Sequence, residues 1–301
     1  MHGPDHPRKS VDAPSGLAVA ALLGGNVALA IGPLFVRMAV DGDGVGPVAA
    51  GFWRLALAAP LLLLLLTRAT RQPIGRLDKG LLGMIALGGL FFAADLASWH
   101  IGILQTKLAN ATLFGNSTSL IFPLYGFLVA QAWPSRTQVS ALLLAALGAV
   151  LLMGRSYDLD PRYLVGDLFC LLAGILYTFY LISIDRARAT LQPWPVLALS
   201  TLAGVLPLLG FAVLAGERIW PESWGALIGL ALVSQVIGQG LMVFAIGHVR
   251  PLLVGLALLS QPVVAAAIGW IMYDERLGWV DLAGAALIAV AIVLVRNTKR
   301  S

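Results

Sequence analysis

The stretch from Phe114 to Pro123 reads FGNSTSLIFP and sets four consecutive polar residues and a proline inside a long apolar run. In a helix, Asn116, Ser119 and Pro123 share one face, because they stand at i, i+3 and i+7. Proline lacks a backbone donor and frees the carbonyl group four residues earlier, here that of Ser119. Such groups can bind a polar ligand or hydrogen-bond a neighbouring helix. The stretch predicts a helix kinked at Pro123 that presents polar groups to a cavity or to another helix.

Polar and aromatic residues interrupt several other apolar runs, and a second kink is expected at Pro262. Gln235 and Gln239, at i and i+4, either contact substrate or bond across a helix pair. A wall of aromatic rings and neutral amides suits a zwitterion with an apolar side chain better than a phosphate. The candidate substrate-binding residues are Asn26, Trp99, Asn116, Ser119, Tyr177, Tyr180, Gln235, Gln239, Ser260 and Gln261.

Three ionisable residues inside or beside these runs form a candidate coupling or charge site. Asp95 could accept a proton or an ammonium group, or could be a hydroxyl-paired residue that fixes its helix. Arg54 either extends towards the membrane surface or holds a carboxylate. His100, near a predicted helix end, is either solvated or part of a proton relay.

The sequence offers no pattern for metal or cofactor chemistry. The four histidines do not form a His-Glu-x-x-His motif, and the acids within apolar runs are nearly limited to Asp95 and Asp167. The single cysteine, Cys170, is expected to be a small buried hydrophobe. We therefore expect no metal site, no cofactor and no enzyme, and an intramembrane enzyme is only a distant alternative.

The composition is that of a membrane protein: 59% of the residues are hydrophobic and 12% are charged, with a mean hydropathy of +0.87. The pI is near 9.7, yet the basic residues are dispersed over loops, so nucleic acid is not an expected partner. Apolar runs of helix length predict ten transmembrane helices at 17–40, 48–67, 80–104, 108–132, 138–154, 163–184, 195–215, 223–247, 252–272 and 278–295.

The distribution of cations predicts the orientation. With the N-terminus inside, thirteen Lys and Arg residues fall in cytoplasmic segments and six in outer ones. The positive-inside rule then places both termini in the cytoplasm. The first apolar run is longer than the core of a signal peptide and is expected to be retained as a helix.

The two halves of the sequence resemble each other. A shift of 143 residues lays WHIGILQTK (Trp99 to Lys107) over MVFAIGHVR (Met242 to Arg250). Both halves also contain glycines spaced for close helix contact, Gly83 with Gly88 and Gly225 with Gly229. Five spans in each half would make the second copy run oppositely across the bilayer, as in secondary transporters with inverted repeats.

Two stretches carry a resemblance to the drug/metabolite transporter superfamily, and specifically to its EamA-type members. They are GFWRLALAAP (Gly51 to Pro60) and LLSQPVVAAAIGWIMYDERLGWVDLAGAALIAVAIVLV (Leu258 to Val295). The second stretch matches the family's Pro-Val pair, its acidic residue at the helix turn (Glu275) and its glycine in span ten (Gly284). The first copy departs from this pattern, having Ala132 or Arg136 where the second has Glu275.

The resemblance implies a carrier of small metabolites in the bacterial inner membrane. Helices one to four and six to nine would enclose a central cavity, with helices five and ten outside. The sequence looks closest to exporters of amino acids, including aromatic ones, and export of drugs or lipid-like amphiphiles is the alternative. The expected partners are a small-molecule substrate and the lipid bilayer; the sequence carries no signal for the oligomeric state.

These inferences divide the chain into five segments. They are a cytoplasmic tail (1–16), the first five-helix repeat (17–154), a linker loop (155–162), the second five-helix repeat (163–295) and a cytoplasmic tail (296–301). The expected fold is thus an all-α polytopic membrane protein, with ten transmembrane helices in two inverted five-helix repeats around a central cavity.

Overall fold

The computed structural model describes residues 15–69, 78–106, 108–153, 160–264, 267 and 278–297, and the regular structure in these ranges is helical. A ten-residue π-helix (Leu230–Gln239) and a short 3₁₀ turn (Pro161–Tyr163) occur among the α-helices. The α-helices are α1 (Gly16–Ala30), α2 (Gly32–Asp43), α3 (Pro47–Ala69), α4 (Lys79–Gln105), α5 (Leu108–Gly115), α6 (Thr118–Ala130), α7 (Arg136–Met153), α8 (Leu164–Arg188), α9 (Pro193–Leu214), α10 (Gly225–Gly229), α11 (Gly240–Ile246), α12 (Pro251–Leu258) and α13 (Trp279–Asn297).

Within the described ranges, six helical segments are long and apolar enough to cross a membrane, which confirms a multi-pass, all-α membrane protein. They are Gly16–Asp41, Pro47–Thr67, Lys79–Gln105, Pro161–Arg188, Pro193–Leu214 and Gly225–Ile246. The other four predicted spans coincide with shorter apolar helices, Thr118–Ala130, Arg136–Leu151, Pro251–Val264 and Leu282–Val295. Ten complete crossings therefore stay a prediction.

Several predicted spans are interrupted near their middle. The first breaks at Ile31, because α2 starts anew with Gly32 and with Pro33 in its first turn, where proline is tolerated. The fourth breaks at Asn116 and Ser117, and the Ser119 amide donates to the Asn116 carbonyl at 2.8 Å. The break precedes Pro123, which is buried inside α6. Short polar side chains offer backbone groups alternatives to regular helix bonds, so this break falls in the polar stretch.

Helices from the two halves pack closely where small residues allow it. The main contacts join α4 to α8 and α9, α3 to α9, α6 to α12, and α7 to α13. A Cβ atom added to Gly148 would lie 2.6 Å from the Gly284 carbonyl oxygen, and one added to Gly255 would lie 2.6 Å from that of Ser119. The Ser119 carbonyl thus faces a helix contact. Such close backbone approach is how apolar helices associate in lipid.

The loop between α9 and α10 contacts the start of α3 at one end of the bundle. The Glu217 carboxylate accepts hydrogen bonds from the backbone amides of Val48 at 3.2 Å and Ala49 at 2.8 Å. Trp53 Nε1 donates to the Ile219 carbonyl at 2.7 Å. Burial raises the pKa of Glu217, and the two amide donors oppose that shift. The loop of the second half therefore caps a helix of the first half.

Candidate functional site

A cavity of about 360 Å³ lies between the two halves, within the size range of small-molecule sites. Elements on both sides of the breaks in spans one and four contribute to its wall, as do α3, α4, α8 and the end of the π-helix. The lining residues are Leu29, Ala30, Pro33, Leu34, Arg37, Arg54, Phe92, Asp95, Leu96, Trp99, Thr112, Gly115, Asn116, Thr118, Ala173, Gly174, Tyr177, Gln239, Leu258 and Gln261.

Two glycines bring the walls of this cavity together. A Cβ atom on Gly115 would collide with the Trp99 ring, so glycine lets the ring lie against the end of α5. A Cβ atom on Gly174 would lie 2.6 Å from the Gly115 carbonyl oxygen. The Thr118 hydroxyl donates to the Gly174 carbonyl at 2.5 Å. The break in span four is thus held against α8 of the other half.

Arg54 is deeply buried and held in one orientation. Its side chain is 6% exposed, Nε donates to Gln235 Oε1 at 3.0 Å, and its guanidinium carbon lies 5.6 Å from the Phe92 ring centroid. Gln235 in turn donates through Nε2 to the Thr201 hydroxyl at 2.9 Å. The arginine does not extend to the surface, and its terminal nitrogens make no hydrogen bond with the described part of the chain. Two N–H groups per terminal nitrogen are left for a ligand.

Asp95 and Arg37 line the same cavity as Arg54. Asp95 is 8% exposed, and within the ranges that the structure describes it has neither a hydrogen bond nor an ion pair. No ion pair joins it to Arg54. Arg37, on α2, is half-buried and likewise has no partner among the described residues. Asp95 and Arg54 attract each other within the cavity but do not form a direct salt bridge, so a ligand that carries both charges can bind between them.

The predicted substrate-binding residues divide into two groups. Trp99, Asn116, Tyr177, Gln239 and Gln261 line the cavity together. Among these, Gln239 Nε2 donates to the Tyr177 hydroxyl at 3.3 Å, while the buried Gln239 Oε1 has no partner among the described residues.

The remaining predicted site residues lie behind the cavity wall. Gln235 positions Arg54. Asn26 accepts a 3.0 Å hydrogen bond from Gln261 Nε2 and donates to the Leu22 carbonyl at 2.9 Å. The ring of Tyr180 stacks on Phe92 with centroids 4.4 Å apart. The others also bond or pack within the protein. Ser119 and Pro123 pack against α12, and the Ser260 hydroxyl donates to the Ala257 carbonyl at 2.6 Å. His100 Nδ1 lies 2.8 Å from the Pro47 carbonyl oxygen, and Pro262 is buried just after the turn at Leu259.

Sequence reasoning missed Arg37 as a cavity residue. The residue counts as an outer cation when span one is read as one helix running from 17 to 40. Gly32 and Pro33 signal that the helix restarts there, which places Arg37 one turn into α2 rather than at a helix end. Two cations, Arg54 and Arg37, are therefore among the residues that line the cavity.

The fold and this site define a class: a multi-pass membrane protein with a charged and aromatic cavity between its halves. The EamA-like transporter family model matches residues 16–154 and again residues 164–297, so the chain belongs to that family. The expected superfamily is thereby confirmed, as is a sequence repeat that covers nearly the whole chain. The chain is a transporter and not an enzyme.

Curated relatives include exporters. The chain is 26% identical to the pseudopaline exporter CntI of Pseudomonas aeruginosa over 83% of this chain and 86% of that protein. It is 24% identical to the threonine/homoserine exporter RhtA of Escherichia coli over 77% of this chain and 89% of that protein. It is 25% identical to an uncharacterized transporter of Archaeoglobus fulgidus over 74% of this chain and 78% of that protein.

A solved structure, described only as a crystal structure of protein, shares the fold. It superposes with a TM-score of 0.71 over 91% of this chain and 97% of that chain, at 20% sequence identity.

Proposed function

We propose that this protein exports amino acids, including those with apolar and aromatic side chains, across the bacterial inner membrane. The observation that carries the proposal is that Arg54 and Asp95, two buried side chains of opposite charge type, line one cavity with no direct ion pair between them. A guanidinium group binds a carboxylate and a carboxylate binds an ammonium group, so the pair matches a zwitterion. Phe92, Trp99 and Tyr177 add ring surface for an apolar side chain.

The proposed mechanism is alternating access between two inverted halves. The family repeat and the pattern of helix contacts support it, since α3 packs on α9, α6 on α12 and α7 on α13. In the predicted order of spans, these pairs are two with seven, four with nine, and five with ten. A two-fold axis in the membrane plane would bring each span to its counterpart in this way. Ten crossings and cytoplasmic termini belong to the same proposal.

The cavity lies towards the outer side in the proposed orientation. Arg37 is in the later part of span one and Arg54 in the early part of span two, which both belong to the predicted outer end. The halves are in contact at both ends of the bundle: the Tyr125 hydroxyl donates to Asp185 Oδ2 at 3.1 Å at the opposite end, and Glu217 accepts from the amides of Val48 and Ala49 at the outer end.

Transport by purified protein in liposomes tests the function. Separate vesicles are loaded with labelled phenylalanine, threonine or glucose phosphate, and efflux is measured. We expect the two amino acids to move and glucose phosphate to move little, because Arg54 is the one deeply buried cation among the cavity-lining residues and Asp95 repels a phosphate.

Matched variants separate binding from general damage. Asn116→Ala and Gln239→Ala should slow amino-acid efflux, whereas Leu63→Ala, on the exposed apolar surface of α3, should not. Movement of glucose phosphate alone, or of none of the three, would contradict the amino-acid function and favour the drug or amphiphile alternative.

A further inference from the structure

Arg37 adds a positive charge to the cavity that a simple zwitterion does not use. Among the lining residues, the cations are Arg37 and Arg54, and the acid is Asp95. The carboxylate and the ammonium of a neutral amino acid satisfy Arg54 and Asp95. One cation then remains on α2, at the more exposed edge of the same space.

The surroundings of Arg37 leave its guanidinium group available. It has no ion pair and no hydrogen bond with the described residues. Asp41 stands at i+4 on the same helix, where a pair would be favourable, yet no ion pair joins the two. Arg218, at the same end of the bundle, is different because it pairs with Glu222 at 2.9 Å. Among the described residues, Arg37 is thus the one of these two cations that has no ion pair.

Resting on the proposed function, we infer that Arg37 forms a second carboxylate subsite and that the transporter also carries amino acids with two carboxylates. Arg54 binds the α-carboxylate, Asp95 the ammonium, and Arg37 the carboxylate of the side chain. The chemistry is that of a bidentate guanidinium–carboxylate contact, which is stronger and more directional than an amide contact. The substrate class is therefore an amino acid with net charge −1, in addition to neutral amino acids.

Glutamate and glutamine provide a nearly isosteric test pair. Efflux of each is measured from liposomes that contain wild-type protein, Arg37→Gln or Arg37→Lys, with phenylalanine efflux as the reference in every preparation. We expect wild-type protein to prefer glutamate, Arg37→Gln to lower the glutamate-to-glutamine ratio about tenfold, and Arg37→Lys to restore part of it. A wild-type elution profile in detergent and an unchanged thermal midpoint show that Arg37→Gln is folded.

Two controls distinguish a contact from a general field. Arg218→Gln removes an exposed cation from the same end of the bundle and should leave the ratio unchanged. Raised salt screens long-range attraction but acts less on a contact, so the wild-type preference should persist. A wild-type preference for glutamine, or an unchanged ratio in Arg37→Gln, overturns this inference and leaves the proposed function intact. Failure of phenylalanine, glutamate and glutamine alike overturns the proposed function and this inference with it.

Discussion

The third and eighth spans occupy the same place in the two copies, and they differ in how their backbones are built. The shift of 143 residues pairs Trp99 with Met242, so α4 corresponds to the segment made of α10, the π-helix and α11. Helix α4 is one uninterrupted α-helix from Lys79 to Gln105, whereas its counterpart is a π-helix over Leu230–Gln239. π-helices are rare, are mostly a single turn long, and frequently lie at functional sites.

The glycines of the two spans show a second difference. In α4, a Cβ atom on Gly89 would lie 2.5 Å from the Ser200 carbonyl oxygen, and one on Gly102 would lie 2.5 Å from Cys170 Sγ. In the counterpart, a Cβ atom on Gly238 would have Leu29 side-chain atoms at 3.1 Å, and one on Gly240 would have nothing nearer than 3.6 Å. At Gly89 in α4 the nearest atom is backbone, whereas at Gly238 the nearest atoms belong to the Leu29 side chain, with the Val233 carbonyl oxygen of the same helix at 3.2 Å.

The comparison suggests unequal roles for the two walls of the cavity. Asp95 and Trp99 stand on the tightly packed α4, and Gln239 stands at the end of the π-helix. A charge that must be held in a defined place belongs on a rigid element. A wall that must adjust when the substrate changes is better placed on the loosely packed span. Substitutions in α4 should therefore affect folding and coupling more than the matched substitutions in the eighth span.

The largest effect is expected from Gly89→Val. The added atoms collide with the α9 backbone, and overpacking costs about 1–3 kcal/mol even where side chains can shift, with more where the neighbour is backbone. We expect little monodisperse protein after extraction in detergent. Gly83→Val is the matched control, since nothing lies within 4 Å of a Cβ atom there; equal yields of the two variants would contradict a backbone-limited α4.

The second prediction concerns the acid of α4. In the register of the repeat Asp95 pairs with Gly238, so the second copy has no equivalent carboxylate. If Asp95 carries the coupled proton, Asp95→Asn abolishes the dependence of transport on a pH gradient, and it also slows amino-acid exchange because the ammonium subsite loses its charge. Efflux with and without an imposed gradient measures both properties.

Asp167 supplies the control for this experiment. It is also a buried acid, but Thr106 donates to it at 2.6 Å and Asn110 at 3.3 Å, and it is not among the cavity-lining residues. We expect Asp167→Asn to retain gradient dependence even if its yield falls. Gradient dependence that persists in Asp95→Asn would reduce Asp95 to a structural residue.

A smaller effect on stability is expected when one glycine in each of the two spans is replaced by alanine. Gly102→Ala should lower the free energy of unfolding by about 1–3 kcal/mol, because the added methyl group would lie 2.5 Å from Cys170 Sγ. Gly238→Ala should lower it by less than about 1 kcal/mol, because its nearest neighbours are atoms of the Leu29 side chain, which can shift. Combining Gly102→Ala with Cys170→Ala removes the Sγ contact at 2.5 Å, although Gly166 oxygen remains at 3.1 Å. Thermal denaturation in detergent should therefore show partial recovery in the double variant. Additive losses would mean that the sulfur is not the obstacle.

Hydropathy predicted the helical segments well, because a membrane span needs a continuous apolar run whatever its neighbours are. It could not predict the π-helix, since Leu230 to Gln239 has no residue that enforces under-winding. Glycine spacing predicted a close helix contact correctly for one residue of each pair. Gly88 and Gly229 lie close to side chains of other helices, whereas Gly83 and Gly225 face open space. Spacing defines a helix face, but the neighbour on that face comes from another part of the chain.

The polar residues show the same limit in the candidate site. Any buried amide inside a span must find a partner, so Asn116, Gln235 and Gln239 were all recognisable as interior residues. Which of them meets the cavity depends on the neighbouring helices. The Gln235 side chain forms hydrogen bonds with Arg54 and Thr201, while Gln239 lines the cavity. Glu275 lies outside the described residues, so the acid at that helix turn stays a prediction.

The smallest effect is expected at the entrances to the two spans, which are capped differently. Asp78 accepts from the amides of Gly80 and Leu81 and so caps its own helix, α4. At the second entrance Trp224 makes no side-chain cap, and Glu217 instead caps α3 of the other half. Glu217 is the one of these acids that ties the two halves together, so its protonation should affect the assembled bundle.

The sign of this pH dependence follows from the raised pKa of Glu217. Burial disfavours its ionised form in the folded protein, so the folded state binds the proton more tightly than the unfolded chain does. This contribution to stability is complete below the ordinary pKa of 4.5 and is lost as the pH rises through the higher folded value. Glu217→Gln is neutral at every pH. The difference in thermal midpoint, wild type minus variant, should therefore grow as the pH falls from about 8 to about 5. Glu222→Gln, on the solvent-exposed side of the same loop, should leave that slope as in wild type; a difference that shrinks on acidification would mean that the two amide donors outweigh burial at Glu217.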